Sequence, residues 1–261
     1  MRLFNLVEWY QLPMNGFLRM PRHYPESHAE AALVLVCKRP GYGVGKQRLA
    51  ATLGREAANH VAESLLVCAL EDAHDWPGPV IVAPAHPQDH SWAETLLTGI
   101  KWKGRKVHVL PQATGNLGQR LNILDLELRQ MGLEQLVYIG SDAPSLNPVH
   151  YAEVRDALQQ TDTVLIPAED GGVVLMASRQ NWPVLSDLPW STAHLGAGLA
   201  RCCSASGRSI TILKHGYDVD EHADLARLVV SLALDPRPAR RALHKLACSL
   251  VQSLKEAYVP F

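Results

Sequence analysis

No C-x-x-C pair occurs in the 261 residues, and the five cysteines leave one over in any pairing. That argues against a zinc site and against a disulfide framework, and it fits a reducing cytoplasm. Long apolar runs are also missing. Ala31–Cys37 is among the longest, far short of the ~20 residues a membrane helix needs. The N-terminal stretch MRLFNLVEWYQLPMNG has no sustained apolar core with a small-residue cleavage site, so it does not read as a signal peptide. Charge of one sign is lacking too. With a net charge of −1, no global field recruits nucleic acid or an anionic membrane. There is no H-E-x-x-H zinc helix, no G-x-S-x-G elbow, no internal repeat and no low-complexity segment.

What is present is an ordinary globular composition, 47% apolar and 20% charged. From residue 31 short apolar runs alternate with amphipathic stretches. The runs predict strands at Ala32–Cys37, Val80–Ala83, Lys106–Leu110, Gln135–Ile139, Asp162–Ile166, Val173–Ala177 and Ser209–Leu213. They are nearly uniformly apolar, as strands covered on both faces are. Leu49, Leu53, Ala57, Val61, Leu65 and Ala69 recur at spacing four as one helical stripe. Leu117, Leu121, Leu124 and Leu128 form a second stripe, Tyr151, Val154 and Leu158 a third, and Leu225, Val229 and Leu232 a later one. Such alternation implies a mostly parallel sheet between two helical layers, a three-layer α/β/α architecture. The DGGVVLM segment follows its predecessor after too short a turn for a crossover, which predicts an antiparallel excursion.

Residues 1–30 read as an extension and 31–234 as the main domain. Residues 235–261 read as a terminal helix packed on that domain. The basic residues Arg237, Arg240, Arg241 and Lys245 could touch RNA or a phosphate, but read first as the solvated face of that helix.

Ligands of open parallel sheets bind beyond the carboxyl ends of the strands. Five strand ends carry charge or glycine. The first is CKRPGYGVGKQRLA, with Lys38, Arg39, Gly41, Lys46 and Arg48. It is not a P-loop, because Pro40 stands where the first glycine is needed and Gln47 where the hydroxyl is. It is either a phosphate cradle leading into a helix or a surface turn with solvated cations. Cys37 adjoins this basic loop, which could lower its thiol pKa, or is simply the last strand residue.

GSDAP places Asp142 at the sheet edge, as a ligand for a hard divalent cation or as a helix cap. In DVDE, Asp218 and Asp220 share a side if the segment is extended. Either could be a second ligand, and Asp220 could instead cap the next helix. In PAEDGG, Gly171 and Gly172 allow close backbone approach, and Glu169 and Asp170 could orient a ligand or form a tight acidic turn.

Taken together these segments resemble a bacterial family of glycosyltransferase-A-like proteins, described as nucleotide-diphospho-sugar transferases. The family patterns K-x-P-x-x-G-x-x-K-T-R-L, Q-x-x-G-D-L-G-E-R, G-S-D-x-P, P-x-x-D-G-G and D-V-D-T are similar to Lys38–Leu49, Gln112–Arg120, Gly140–Pro144, Pro167–Gly172 and Asp218–Glu221. More distant cousins are the guanylyltransferases of molybdenum and deazaflavin cofactor synthesis.

The resemblance implies a GT-A-type fold and a nucleoside triphosphate or nucleotide-sugar ligand. It implies Mg2+ or Mn2+ on Asp142 with help from Asp218 and Asp220. It implies Lys38, Lys46 and Arg48 on the phosphates, and Arg39, Gly41, Gln112, Gly115, Gly118, Arg120, Ser141, Asp170, Gly171 and Gly172 around the nucleotide. Four positions depart from the patterns: Gln47, Asn116, Gln119 and Glu221.

The expected activity is metal-dependent nucleotidyl transfer from a nucleoside triphosphate to a small phosphate- or phosphonate-bearing acceptor, with release of pyrophosphate. The alternatives are glycosyl transfer from a nucleotide-sugar, and a non-catalytic nucleotide-binding partner in a biosynthetic complex.

Overall fold

The computed structural model describes residues 30–41, 45–102 and 104–257. The expected extension therefore lies, but for Glu30, outside the described residues. Seven strands form one sheet: β1 Ala32–Cys37, β2 Val80–Pro84, β3 Val107–Val109, β4 Leu136–Ile139, β5 Thr163–Pro167, β6 Val173–Ser178 and β7 Ile210–Ile212. Their order is β3-β2-β1-β4-β6-β5-β7. All pairings are parallel except those of β6, which runs antiparallel to both β4 and β5. The expected three-layer α/β class and the antiparallel excursion are both present. The turn 168–172 is too short for a crossover, so β6 returns beside β5 as a hairpin.

β1 sits centrally, with Leu33 opposite Val80 on one side and Val137 on the other. Its alternate residues feed two cores. Leu33, Leu35 and Cys37 pack with α2 (Arg55–Asp75), α3 (His90–Leu97) and α5 (Pro148–Leu158). Ala32 and Val34 pack with α4 (Leu117–Gln130) and α6 (Leu195–Ala205). Each leucine fully buried this way contributes roughly 1.5–3 kcal/mol of transfer free energy.

The single stripe expected from Leu49 to Ala69 is two helices, α1 (Gln47–Leu53) and α2. Gly54, at φ 83° and ψ 160°, closes one and opens the other. Periodicity could not show this, because Leu49, Val61 and Leu65 still face one shared core. That third core lies between α1, α2, α7 (His222–Ser231) and α8 (Pro238–Ala257).

α8 also corrects the reading of its cations as a solvated face. Arg241 and Lys245 are exposed, but Arg240 is 0% exposed. Its guanidinium meets Glu71 Oε2 at 3.0 Å and Asp72 Oδ2 in α2, and Arg237 Nη1 donates to Asp72 Oδ1 at 2.9 Å. Two acids facing inward from α2 are what make a buried arginine tolerable, since an unpaired charge there costs far more.

Candidate active site

Beyond the ends of β1, β2 and β4 lies a cavity of about 410 Å³. Lys38 and Arg39 follow β1, and Ser141 and Asp142 follow β4. Lys46 precedes α1, Gln112 follows β3, Arg120 comes from the first turns of α4, and Asp220 from the segment before α7. All eight line the cavity and all eight were expected from the sequence. They set four cations against two carboxylates.

Lys46 is the centre of the arrangement. Its Nζ donates to Asp142 Oδ2 and to Asp220 Oδ1, both at 2.8 Å. The lysine side chain is 9% exposed, whereas the two carboxylates are 42% and 43% exposed. Burial disfavours the ammonium, but the two aspartates outweigh it and raise the Lys46 pKa. Burial pushes Asp142 up, and Lys46 more than cancels this, with help from Ser141 Oγ and Lys38. The Asp142 carboxyl is left below its ordinary range. Gly45 (φ 69°) and Lys46 (φ 48°) are both left-handed. That costs a lysine roughly 1 kcal/mol, which the two ion pairs offset.

The aspartate segment is tied to β4 where Val219 N–H donates to Asp142 O at 3.0 Å. Glu221, not Asp220, is the N-cap of α7, with Asp224 Oδ2 accepting from Asp220 N and Glu221 N. Asn147, not Asp142, caps α5. Asp218 is half-buried. Burial, then the charges of Asp170, Asp220 and Asp142, push its carboxyl up to about 6. Among the described residues no three His, Cys, Asp or Glu side chains gather as a metal-holding group.

The remaining expected residues do not line the cavity. Arg48 is exposed and paired with exposed Glu221 at 3.1 Å. Gly41 and Gly115 lie off the cavity lining. Gly115, at φ 118°, needs to be glycine for its backbone alone. At Gly118 a Cβ would stand 2.1 Å from Leu185 O, so that glycine lets α4 pack on the 185–186 segment. At Gly171 a Cβ would stand 2.0 Å from Ala193 O, and Gly196 N donates to Gly171 O at 2.9 Å. The double glycine admits the chain's own backbone. Asp170 Oδ1 accepts from Gly172 N at 2.8 Å, a tight acidic turn. Glu169 pairs with Arg227 at 2.8 Å.

The departures Asn116 and Gln119 form a reciprocal capping box at the start of α4. Gln119 N donates to Asn116 Oδ1 at 3.0 Å, and Asn116 N to Gln119 Oε1 at 2.9 Å. Cys37 is not activated: burial, then Asp89 and Asp142, push its thiol up to about 12.

Two cavity groups have no internal partner. Gln112, 1% exposed, spends its Nε2 on Ala83 O at 2.7 Å, leaving a buried Oε1 unpartnered. Arg120 has a buried Nε without an acceptor, and burial lowers its pKa.

Sequence reasoning missed the part played by three residues. Ser191, a non-glycine residue at φ 61°, lines the cavity from the loop before α6, and nothing in its local sequence marks it. Arg240 Nε and Arg237 Nη2 donate to Pro144 O (3.3 Å) and Leu146 O (3.0 Å), so α8 clamps the loop that carries Asp142.

This strand order, with one antiparallel strand and most of the polar strand ends gathered around one cavity, is an α/β fold shared with solved structures. Residues 66–192 match the bacterial family described as "Uncharacterized protein conserved in bacteria (DUF2064)", which bears out the resemblance to a bacterial family of uncharacterised function read from the motifs. Among solved structures, a protein from Desulfovibrio desulfuricans G20, provisionally named a nucleotide-diphospho-sugar transferase, superposes with a TM-score of 0.74 at 20% identity. The match covers 86% of this chain and 98% of that one. Rv0371c from Mycobacterium tuberculosis H37Rv matches with a TM-score of 0.45 at 16% identity, over 77% of this chain and 98% of that one. The 4-diphosphocytidyl-2C-methyl-D-erythritol synthase of Anaerococcus prevotii matches at 0.47 and 11% identity, over 76% and 95%. No curated protein sequence matches the chain. Among the described residues no helix is long and apolar enough to cross a membrane.

Proposed function

We propose that the chain is a metal-dependent nucleotidyltransferase. It would move a nucleoside monophosphate from a nucleoside triphosphate to a small acceptor bearing a phosphate or phosphonate, releasing pyrophosphate. The observation that carries this reading is the convergence of Lys38, Arg39, Lys46 and Arg120 on one cavity with the Asp142–Asp220 carboxylate pair. Arg120 Nε is buried without an acceptor and Lys38 acts on Asp142 only through space, so a polyphosphate would supply close partners for both.

The carboxylate pair fits Mg2+ or Mn2+ in kind. Magnesium commonly takes one or two carboxylates and completes its shell with phosphate oxygens and water. Asp142 Oδ2 and Asp220 Oδ1 already share one cationic partner, Lys46. When bound, the ion neutralises charge on the phosphate oxygens.

The chain's own residues do the rest. Lys38, Arg39 and Arg120 hold and orient the triphosphate. An acceptor oxygen attacks the α-phosphorus, the bond to the β-phosphate bridging oxygen breaks, and pyrophosphate leaves with that electron pair. Lys46 balances the charge that builds on it. Positioning and electrostatics supply most of the acceleration in such transfers. Gln112 and Ser141, whose Oγ donates to Asp142 Oδ1 at 3.2 Å, line the same cavity. The cysteine usage supports a cytoplasmic setting.

One observation favours a second reading, glycosyl transfer: the D. desulfuricans protein is named for a nucleotide-sugar, and the same cations would hold a diphosphate. A thermal-shift panel of nucleoside triphosphates and nucleotide-sugars, with and without Mg2+ or Mn2+, tests ligand choice. Product analysis then separates the two. Pyrophosphate supports nucleotidyl transfer and a free nucleoside diphosphate supports glycosyl transfer. Binding without turnover across candidate acceptors would point instead to a non-catalytic partner.

A further inference from the structure

We infer that Lys46 occupies the cation position of the carboxylate pair until a polyphosphate draws it away. On that inference the site accepts a preformed metal–polyphosphate complex and rejects the free divalent ion. It rests on the proposed function and concerns the form in which the ligand enters.

The two oxygens best placed to take a cation, Asp142 Oδ2 and Asp220 Oδ1, are the two that accept from Lys46 Nζ. The ammonium is nearly out of solvent while both carboxylates remain open. It is therefore a well-shielded counter-ion at the mouth of an accessible anionic pair. The charge count favours exchange over addition. Two carboxylates and one ammonium carry a net charge of −1. A divalent ion entering alone would have to sit beside the ammonium or expel it into a cavity already carrying Lys38, Arg39 and Arg120. A polyphosphate removes that obstacle, because its oxygens give the released ammonium a new partner while the ion takes its place. Lysine suits this exchange, being a compact point charge on a flexible stem.

The test is Mn2+ binding followed by the electron paramagnetic resonance signal of the free ion. It compares the wild-type chain with Lys46→Met, which keeps the stem and removes the charge. Expected is weak binding of Mn2+ alone by the wild type and binding tighter by roughly tenfold or more in Lys46→Met. Adding Asp142→Asn to that variant should abolish the gain. Equal affinity of wild type and Lys46→Met for Mn2+ alone overturns the inference.

A second measurement needs no variant, in case Lys46→Met does not fold. The Lys46 Nζ resonance of the 15N-labelled wild type should move with Mg2+ plus tripolyphosphate and stay put with Mg2+ alone. Movement with Mg2+ alone overturns the inference. Failure of tripolyphosphate and every nucleoside triphosphate to shift the wild-type melting temperature, with or without metal, overturns the proposed function. That result is separate from the Mn2+ comparison.

Discussion

Arg240 and Asp72 form a buried ion pair across 168 positions of sequence, and Arg237 takes the other oxygen of the same carboxylate. Glu71 and Tyr151 complete the cluster, with Ala239 N donating to Glu71 Oε1 at 2.9 Å and Tyr151 OH to Asp72 Oδ2 at 2.9 Å. Burial raises both acids, more than their arginines lower them, and a missing arginine would leave them without a balancing charge.

Arg240→Met is therefore expected to destabilise the chain by about 3–5 kcal/mol, the usual cost of removing one side of a buried pair. Combining it with Glu71→Gln and Asp72→Asn should recover part of the loss. Urea unfolding measures both. A loss below about 1 kcal/mol for the single variant would show that the cluster is solvated.

Asp142→Asn removes the shared carboxylate of the cavity while keeping its shape. The expected result is loss of metal-dependent turnover by about 100-fold or more, with an unchanged circular dichroism spectrum. Full retained activity would sink its assignment.

Asp218 sets a pH dependence. Its folded-state pKa is pushed up to about 6 from 3.8, so the native chain holds that proton more tightly than the unfolded one. The penalty for ionising it is absent below about pH 4. It grows as pH rises through about 6 and is complete above. Asp218→Asn should raise the melting temperature at about pH 8 and leave it nearly unchanged at about pH 4. An equal shift at both values would mean that the carboxyl is not perturbed.

The capping box at α4 predicts that Gln119→Glu is tolerated, and that Asn116→Asp keeps the cap but loses the bond from Asn116 Nδ2 to Ser186 O at 3.1 Å. Both acids can accept the same backbone bonds and favour a helix N-terminus. Asn116→Ala should cost about 1 kcal/mol. If Asn116→Asp costs as much as the alanine, the bond to Ser186 O outweighs the cap.

Much of this was legible in the sequence for physical reasons. Strands buried on both faces must be apolar throughout, so all seven strands were located from their runs, with ends shifted by a residue in several cases. Polar residues directly after such runs have only the sheet edge to occupy, which gathered Lys38, Ser141 and Asp142 beforehand. What stayed hidden depends on long-range partners. A basic stripe on a terminal helix looks solvated unless the facing acids of α2 are known, and Arg240 was misread for that reason. Glycines next to motifs look like ligand contacts, yet Gly118 and Gly171 accommodate Leu185 and Ala193. The role of Lys46 as partner of two aspartates could not be read from a loop whose cations all looked alike.

The α8 clamp has a practical consequence for anyone trimming the chain. The family match ends at residue 192, and the stretch around Leu234 looks like a natural place to cut. A fragment stopping there would strand Glu71 and Asp72 inside α2 and release the carbonyls of Pro144 and Leu146. The smallest piece that can be expected to fold thus reaches well past the recognisable motifs, and its last helix holds the loop that carries Asp142.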